Sequence, residues 1–529
     1  MASLLLTLAL MTLAVSVALP VGVALAALLC LAGSHRLARA VRRSAWAMLF
    51  VLVCLPLYLQ ASAWEAAAGK YGWIPLMQSG ANRFWFRGLV AAGWVHGISG
   101  AAWIALITSW AVSRTPVSLL QQASLDASAA GRLWHVALPY ARPAIAAAGL
   151  WVALLAATEM TVADLYGVRT LADEVYLKYA YEPEPLPIAL AYATPWAIAG
   201  VFLWSLGRLM RRMSAAGMPG AGMSGAGGRR GGLERQTAFW NEGHTWDGAG
   251  GTERPALWAT AACVLAAGLL VLLVCVPLVS LIMKAGLVVE AAGAEHAGPR
   301  YHWSWSQFGQ TLNDSLRTFG PEFGWSVALA GGVAVVALAL GAAAAAWAEG
   351  SPRRASWGAV AAVLLVLIPG PIVGMAVVHL FHNRGGVWDE LYQRSLLPTV
   401  VALLPRAAPA AYLVMRAGYR LLGHSVHEAA RIDGASRWQR WRWIEAPRLR
   451  PAMLVAGLVA GMVAAADVPP TLVVLPPGIS TVGTRLFELL HSGVRYQAAG
   501  LTLCFCVLVA ATSLLTWRLG TRLPRRGVG

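Results

Sequence analysis

Charge is scarce in this chain. Only 12% of its 529 residues are Asp, Glu, Lys or Arg, against 58% hydrophobic, which excludes a soluble multidomain protein and fits a polytopic membrane protein. Nucleotide and hydrolytic signatures are missing as well: no G-x-x-x-x-G-K-S/T supplies a phosphate cradle, and neither G-x-S-x-G nor H-E-x-x-H occurs. All six cysteines (Cys30, Cys54, Cys263, Cys275, Cys504, Cys506) lie in apolar runs without the paired spacing of a zinc site, so they read as small lipid-facing or core residues. No cluster of acid, base or metal-ligating residues marks one membrane face, which argues against a membrane enzyme.

What the chain does have is apolar runs of about 20 residues, long enough to cross a hydrocarbon core of roughly 30 Å as helices. About eleven such segments can be counted, giving an all-α polytopic membrane protein. The first, Ala2 to Gly33, has no basic residue before it and exceeds the apolar core of a signal peptide; it reads as a retained span, with Pro20 as a place for a kink. The formal charge of +17 sits in short loops rather than in a stripe on a soluble domain, so it signals topology and not nucleic-acid binding. Arginines follow the first span (Arg36, Arg39, Arg42, Arg43), the fifth (Arg208, Arg211, Arg212, Arg229, Arg230) and the seventh (Arg353, Arg354), and Arg522, Arg525 and Arg526 end the chain. Placing these loops in the cytosol puts the N-terminus outside and the C-terminus inside. The 24 tryptophans suit an interface belt, and His424 and His427 suit a surface better than a metal.

The sequence divides into a first half, residues 1–210, with about five spans, and a second, 256–520, with about six. Between them, residues 211–255 turn to Gly, Met, Ser and Arg and read as a flexible cytosolic linker. A basic tail, 521–529, closes the chain. The additional span of the second half is Leu257 to Met283, followed by an outside segment from about Lys284 to Gly324 that contains Trp303, Trp305 and Asn313. The halves repeat: Pro139, Pro143, Gly149 and Glu159 match Pro447, Pro451, Gly457 and Asp467 at one offset (447 − 139 = 308). Gly167, Thr170 and Tyr176 then match Gly478, Thr481 and Phe487 (478 − 167 = 311).

The most informative stretch, residues 428–447, reads EAARIDGASRWQRWRWIEAP. It is a charged loop between two apolar segments, on the side where eight arginines from Arg416 to Arg450 place the cytosol. A short surface helix turned by a glycine and ended by a proline could transmit a rigid-body movement to the spans. The 308 offset maps it onto residues 120–139, with Leu120 at the position of Glu428 and Asp126 at that of Gly434. Glu159 and Asp467 occupy equivalent places at the outer end of the following span, with Asp164 and Thr471 just beyond. Intramembrane carboxylates are costly, and these four residues could line a central path; the alternative is that the acids end helices and pair with a neighbouring arginine.

Glu428, Ala429, Ala430, Gly434 and Pro447 resemble the EAA loop of ABC-importer permeases, in which E-A-A precedes G and then I-x-L-P. Here Ile444, Glu445, Ala446 and Pro447 fill the last element, with Ala446 replacing leucine. Apart from the linker, nearly the whole chain resembles a fused two-repeat permease of the binding-protein-dependent type I importers. LPYARPAIAAAG and DVPPTLVVLPPGISTVGTRLFE bring it nearest the ferric iron group. That resemblance implies an inner-membrane subunit, multi-pass and not itself an enzyme, importing a small solute, ferric iron first. It implies two partner ATPase subunits that carry ATP and Mg, and a periplasmic or lipid-anchored solute-binding protein. No cofactor or metal is expected on this chain, and its remaining partners would be membrane lipids. The coupling loop would comprise Glu428, Ala429, Ala430, Asp433, Gly434 and Pro447, and in the first half Leu120, Asp126 and Pro139. Thiamine and other small-solute permeases share the tandem layout, and an ion-coupled secondary transporter is the alternative of a different class.

Overall fold

The computed structural model describes residues 2–32, 36–69, 72, 86–181, 200, 257–290, 300–349, 351–382, 385–422, 430, 432–492 and 495–521. Helix α1 (Ala2–Leu31) is apolar all round, as a span in contact with both lipid and protein must be. Helices α2 (Arg36–Cys54) and α3 (Leu57–Ala68) meet at Pro56 with a bend of 102°. Pro56 has no N–H to offer Leu52 O, and the Gln60 side-chain amide takes its place, donating to Leu52 O at 3.2 Å and to Leu55 O at 3.0 Å. Then follow α4 (Gly88–Val112), α5 (Val117–Asp126), α6 (Ala129–Arg132), a π-helical turn (Leu133–Ala137), α7 (Leu138–Thr158), α8 (Thr161–Leu165) and α9 (Leu171–Tyr181).

After residue 256 come α10 (Leu257–Ala285), an antiparallel hairpin of β1 (Leu287–Glu290) and β2 (Arg300–Trp303) that pairs Leu287 with Trp303, and the amphipathic helix α11 (Trp305–Thr318). The long span α12 (Gly320–Ala348) leads to α13 (Pro352–Val366) and α14 (Gly370–Phe381), bent by 92° at Pro369. Helices α15 (Val387–Arg394), α16 (Leu397–Leu422), α17 (Arg437–Arg440), a second π-helical turn (Trp441–Glu445), α18 (Ala446–Ala466), α19 (Val468–Val474), α20 (Val482–Ser492) and α21 (Arg495–Thr521) complete the chain.

The fold is that of an all-α polytopic membrane protein. Eight helical stretches among the described residues are long and apolar enough to cross a membrane, or ten when each bent pair counts as one. The fifth span of the first half and the linker 211–255 lie outside the described residues.

By contact the chain forms two units: residues 1–171, 207–320 and 486–510, and residues 172–206, 321–485 and 511–529. In the first, α1, α4 and α7 share a core through Leu10, Ala14, Val95, Ile98 and Ala156, and α10 packs along α1, α2 and α3. In the second, α12, α16 and α18 share one through Val333, Ala337, Leu403, Met415 and Ala460. Local arrangements recur between the sequence halves. Gly22 of α1 lies where a Cβ would stand 2.7 Å from Ala101 O, and Gly341 of α12 where a Cβ would stand 2.7 Å from Tyr412 N. The Thr7 hydroxyl accepts from Leu171 N at 2.9 Å, as the Ser326 hydroxyl does from Val482 N at 2.8 Å. Both first-span positions share one offset (341 − 22 = 326 − 7 = 319). Gly167 and Gly478 both have positive φ, 65° and 82°, a conformation that strains any residue with a Cβ.

Candidate functional site

The segment 120–139 starts on α5, whose last residue, Asp126, is followed by an extended Ala127. Ser128 restarts the helix: its hydroxyl accepts from Gly131 N at 3.2 Å and caps α6. The backbone then widens into the π-helical turn just before Pro139, which cannot donate a helical hydrogen bond. From Ser436 onward the segment 428–447 is built in the same order. Ser436 and Gln439 form a reciprocal capping box, Ser436 N donating to Gln439 Oε1 at 2.8 Å and Gln439 N to Ser436 Oγ at 3.2 Å. The second π-helical turn precedes Pro447. The capping serines and both turns keep the 308 offset (436 − 128 and 441 − 133).

The two segments differ where their preceding helices stop. Gly434 has φ of 75°, and Ala435 N donates across it to Ala430 O at 3.0 Å, the helix-ending motif that favours glycine. Since α5 ends on extended backbone, its equivalent position needs no glycine and holds Asp126. Ala430 is buried, while Asp433, Gly434, Asp126 and Pro447 are exposed and Leu120 and Pro139 are half-buried. Glu428, Ala429 and the flanking His424 and His427 lie outside the described residues. Arg440 Nε donates to the buried Glu445 at 2.9 Å, tying α17 to its π-helical turn. Ile432, Trp438 and Trp443 stand 85%, 61% and 71% exposed, so this segment offers an apolar face, with Trp438 stacked on Trp441 at 5.1 Å.

The carboxylates beyond the spans have partners. Glu159 Oε1 accepts from Thr161 N at 2.8 Å and from the Thr161 hydroxyl, and Oε2 accepts from Val162 N at 3.0 Å, so the residue caps α8. His96 Nε2 stands 3.6 Å from Glu159 Oε2, close enough for charge pairing when protonated and beyond hydrogen-bond length. In the second half Arg406 Nη1 donates to Asp467 Oδ1 at 2.6 Å. His96 and Arg406 sit on corresponding spans (406 − 96 = 310), so each half supplies a basic residue to its acid. Neither was singled out from sequence; the signal was present as a basic residue inside an apolar span at nearly the repeat offset. A cavity of about 20 Å³ beside Asp467 is lined by Ser326, Thr471 and Thr481, room for one water. No group of three or more potential metal ligands occurs among the described residues.

Asp164 pairs with His491 Nε2 at 3.3 Å, and His491 Nδ1 lies 2.8 Å from Phe487 O. The hydrogen bond to Asp164 raises the imidazole above its ordinary value, against the lowering effect of burial. A raised folded value means that the contribution is full below about pH 6.5, the unfolded value, and fades as pH rises through the folded one. The thermal-stability advantage of wild type over Asp164→Asn should therefore shrink as pH rises through this window; an advantage independent of pH contradicts the pairing.

Residues 337–526 match the family described as "Binding-protein-dependent transport system inner membrane component". The matched stretch contains the whole 428–447 segment. A putative molybdenum transport system permease protein of Bacillus subtilis is 25% identical over 156 residues, 28% of this chain and 69% of that protein. A putative 2-aminoethylphosphonate transport system permease protein of Salmonella typhimurium is 31% identical over 110 residues, 21% of this chain and 40% of the relative. The chain thus spans about two thirds of the first relative and less than half of the second. Over residues 337–526 the chain is similar to inner membrane components of binding-protein-dependent transport systems. Neither relative carries iron in its name.

Proposed function

We propose that the chain is a fused two-repeat permease that forms the transmembrane path of a binding-protein-dependent importer. The observation that carries this reading is the recurrence, at one offset, of a capped surface helix, a π-helical turn and a proline-started span at 120–139 and 428–447. Each segment would dock one of two ATPase subunits, which hold ATP and Mg, and movement of the docked helix would pass through the π-helical turn into α7 or α18. Leu120, Asp126 and Pro139 serve in one segment, and Glu428, Ala429, Ala430, Asp433, Gly434 and Pro447 in the other. The solute arrives from a periplasmic or lipid-anchored binding protein, and the arginine-rich loops place the N-terminus outside and the C-terminus in the cytosol. Glu159, Asp164, Asp467 and Thr471 flank the path, the acids acting as fixed electrostatic elements because hydrogen bonds and basic residues already hold them.

The substrate we favour from the family resemblance is ferric iron; the names of the relatives favour molybdenum or 2-aminoethylphosphonate. Titrating the purified solute-binding protein with ferric iron, molybdate and 2-aminoethylphosphonate separates these. For coupling, Glu428→Arg should abolish co-purification with the ATPase while membrane insertion stays normal, because it reverses the charge offered to the partner. Unchanged co-purification removes the docking role.

A further inference from the structure

The two bent span pairs are filled differently. In the second half α19 closes the break at Pro369: a Cβ on Gly370 would stand 2.8 Å from Pro470 and one on Gly374 2.8 Å from Val473. In the first half the bend at Pro56 opens a cavity of about 480 Å³, walled by Leu52, Leu55, Leu273, Leu281, Phe308 and Leu503. That volume is in the range of ligand pockets, about 300–1,000 Å³. Its wall is almost wholly carbon, and the Gln60 amide nitrogen is held by Leu52 O, Leu55 O and, at 3.4 Å, by the Ser99 hydroxyl. A cavity so lined offers water few partners, and left empty it forfeits the dispersion contacts of every wall atom.

The cavity opens on an exposed apolar surface of the spans. Leu278 and Val507 on its rim are 42% and 70% exposed, whereas Leu52 and Leu503 within it are each 8% exposed and Leu281 is 2%. Around spans of this hydropathy the medium is hydrocarbon, so what can enter from the rim is a lipid chain. We propose that this cavity is a lipid-binding site that takes one acyl chain of a bilayer phospholipid, wedged among the α2–α3 bend, α10 and α21. Phe308 and Leu312, on one face of amphipathic α11, complete the wall. The acyl chain supplies the wall atoms with the contacts that an empty cavity forfeits, and its removal should loosen α10 from α3. The site does not depend on which solute the protein carries.

The test uses the full chain in phosphatidylethanolamine and phosphatidylglycerol vesicles doped with phosphatidylethanolamine carrying a photoreactive diazirine at mid-chain. Cross-links mapped by mass spectrometry should fall on Leu52 and Leu503 as well as on the rim residues Leu278 and Val507. Ala63→Trp, which fills the cavity from α3, should lose labelling at Leu52 and Leu503 and keep it at Leu278 and Val507. Labelling confined to the rim in wild type overturns the proposal, as does equal inner labelling in Ala63→Trp. Should that variant fail to fold, the contrast between inner and rim residues in wild type decides alone, and Leu281→Trp supplies a second filling substitution.

Discussion

Arg406→Ala should destabilise the protein by about 3–5 kcal/mol, the range for breaking a buried ion pair by removing one partner. Asp467 is only 4% exposed and its Oδ1 lies 2.6 Å from the guanidinium, so truncation leaves a carboxylate in a site with little water. The double variant Arg406→Leu/Asp467→Leu should recover most of the loss, because it removes both charges and fills the space with carbon. Unfolding in mixed micelles, read by intrinsic fluorescence, measures both. A single variant as stable as wild type would show that the pair contributes nothing. His96→Ala should cost less than Arg406→Ala, because Glu159 keeps the amides of Thr161 and Val162.

Gly341→Leu should do comparable harm by a different route. Helices α12 and α16 touch backbone to backbone here: a Cβ at 341 would stand 2.7 Å from Tyr412 N and 2.8 Å from Ala411 C. Rigid backbone cannot give way as a side chain can, so the helices must part. Overpacking of this kind costs about 1–3 kcal/mol and occasionally more, and close approach through small residues is how spans associate in lipid. The expected readout is a loss of monodisperse protein on size-exclusion chromatography, with Gly22→Leu giving the same loss through Ala101 O and Ile104. A Gly332→Leu control on the same helix should stay near wild type, since its nearest neighbour would be Val400 at 3.6 Å.

Much of the arrangement was legible because hydropathy and proline spacing are linear properties. The apolar runs marked the spans, and the offset of 308 aligned residues 120–139 with 428–447, which brings together the two serines that cap helices. The turn within the 428–447 segment was legible too, since Gly434 occupies a position that demands left-handed backbone. Less legible were the partners of the acids. Glu159 and Asp467 were visible as costly charges, but His96 and Arg406 lie 63 and 61 residues away in sequence, and rotation of α4 and α16 about their axes decides whether they face the acids or the lipid. The π-helical turns left no composition signal beyond the proline that follows them.

The sequence by itself determined the medium, the order of the apolar spans within the described residues and the alignment of 120–139 with 428–447, because transfer of apolar runs into hydrocarbon and the missing N–H of proline act locally along the chain. Only the tertiary structure decided which basic residue meets which acid, that Gly22 and Gly341 are points of backbone contact, and that a large apolar cavity opens beside the bend at Pro56. Those outcomes depend on how helices rotate and approach one another, and a periodic apolar pattern is nearly indifferent to rotation when every face is apolar.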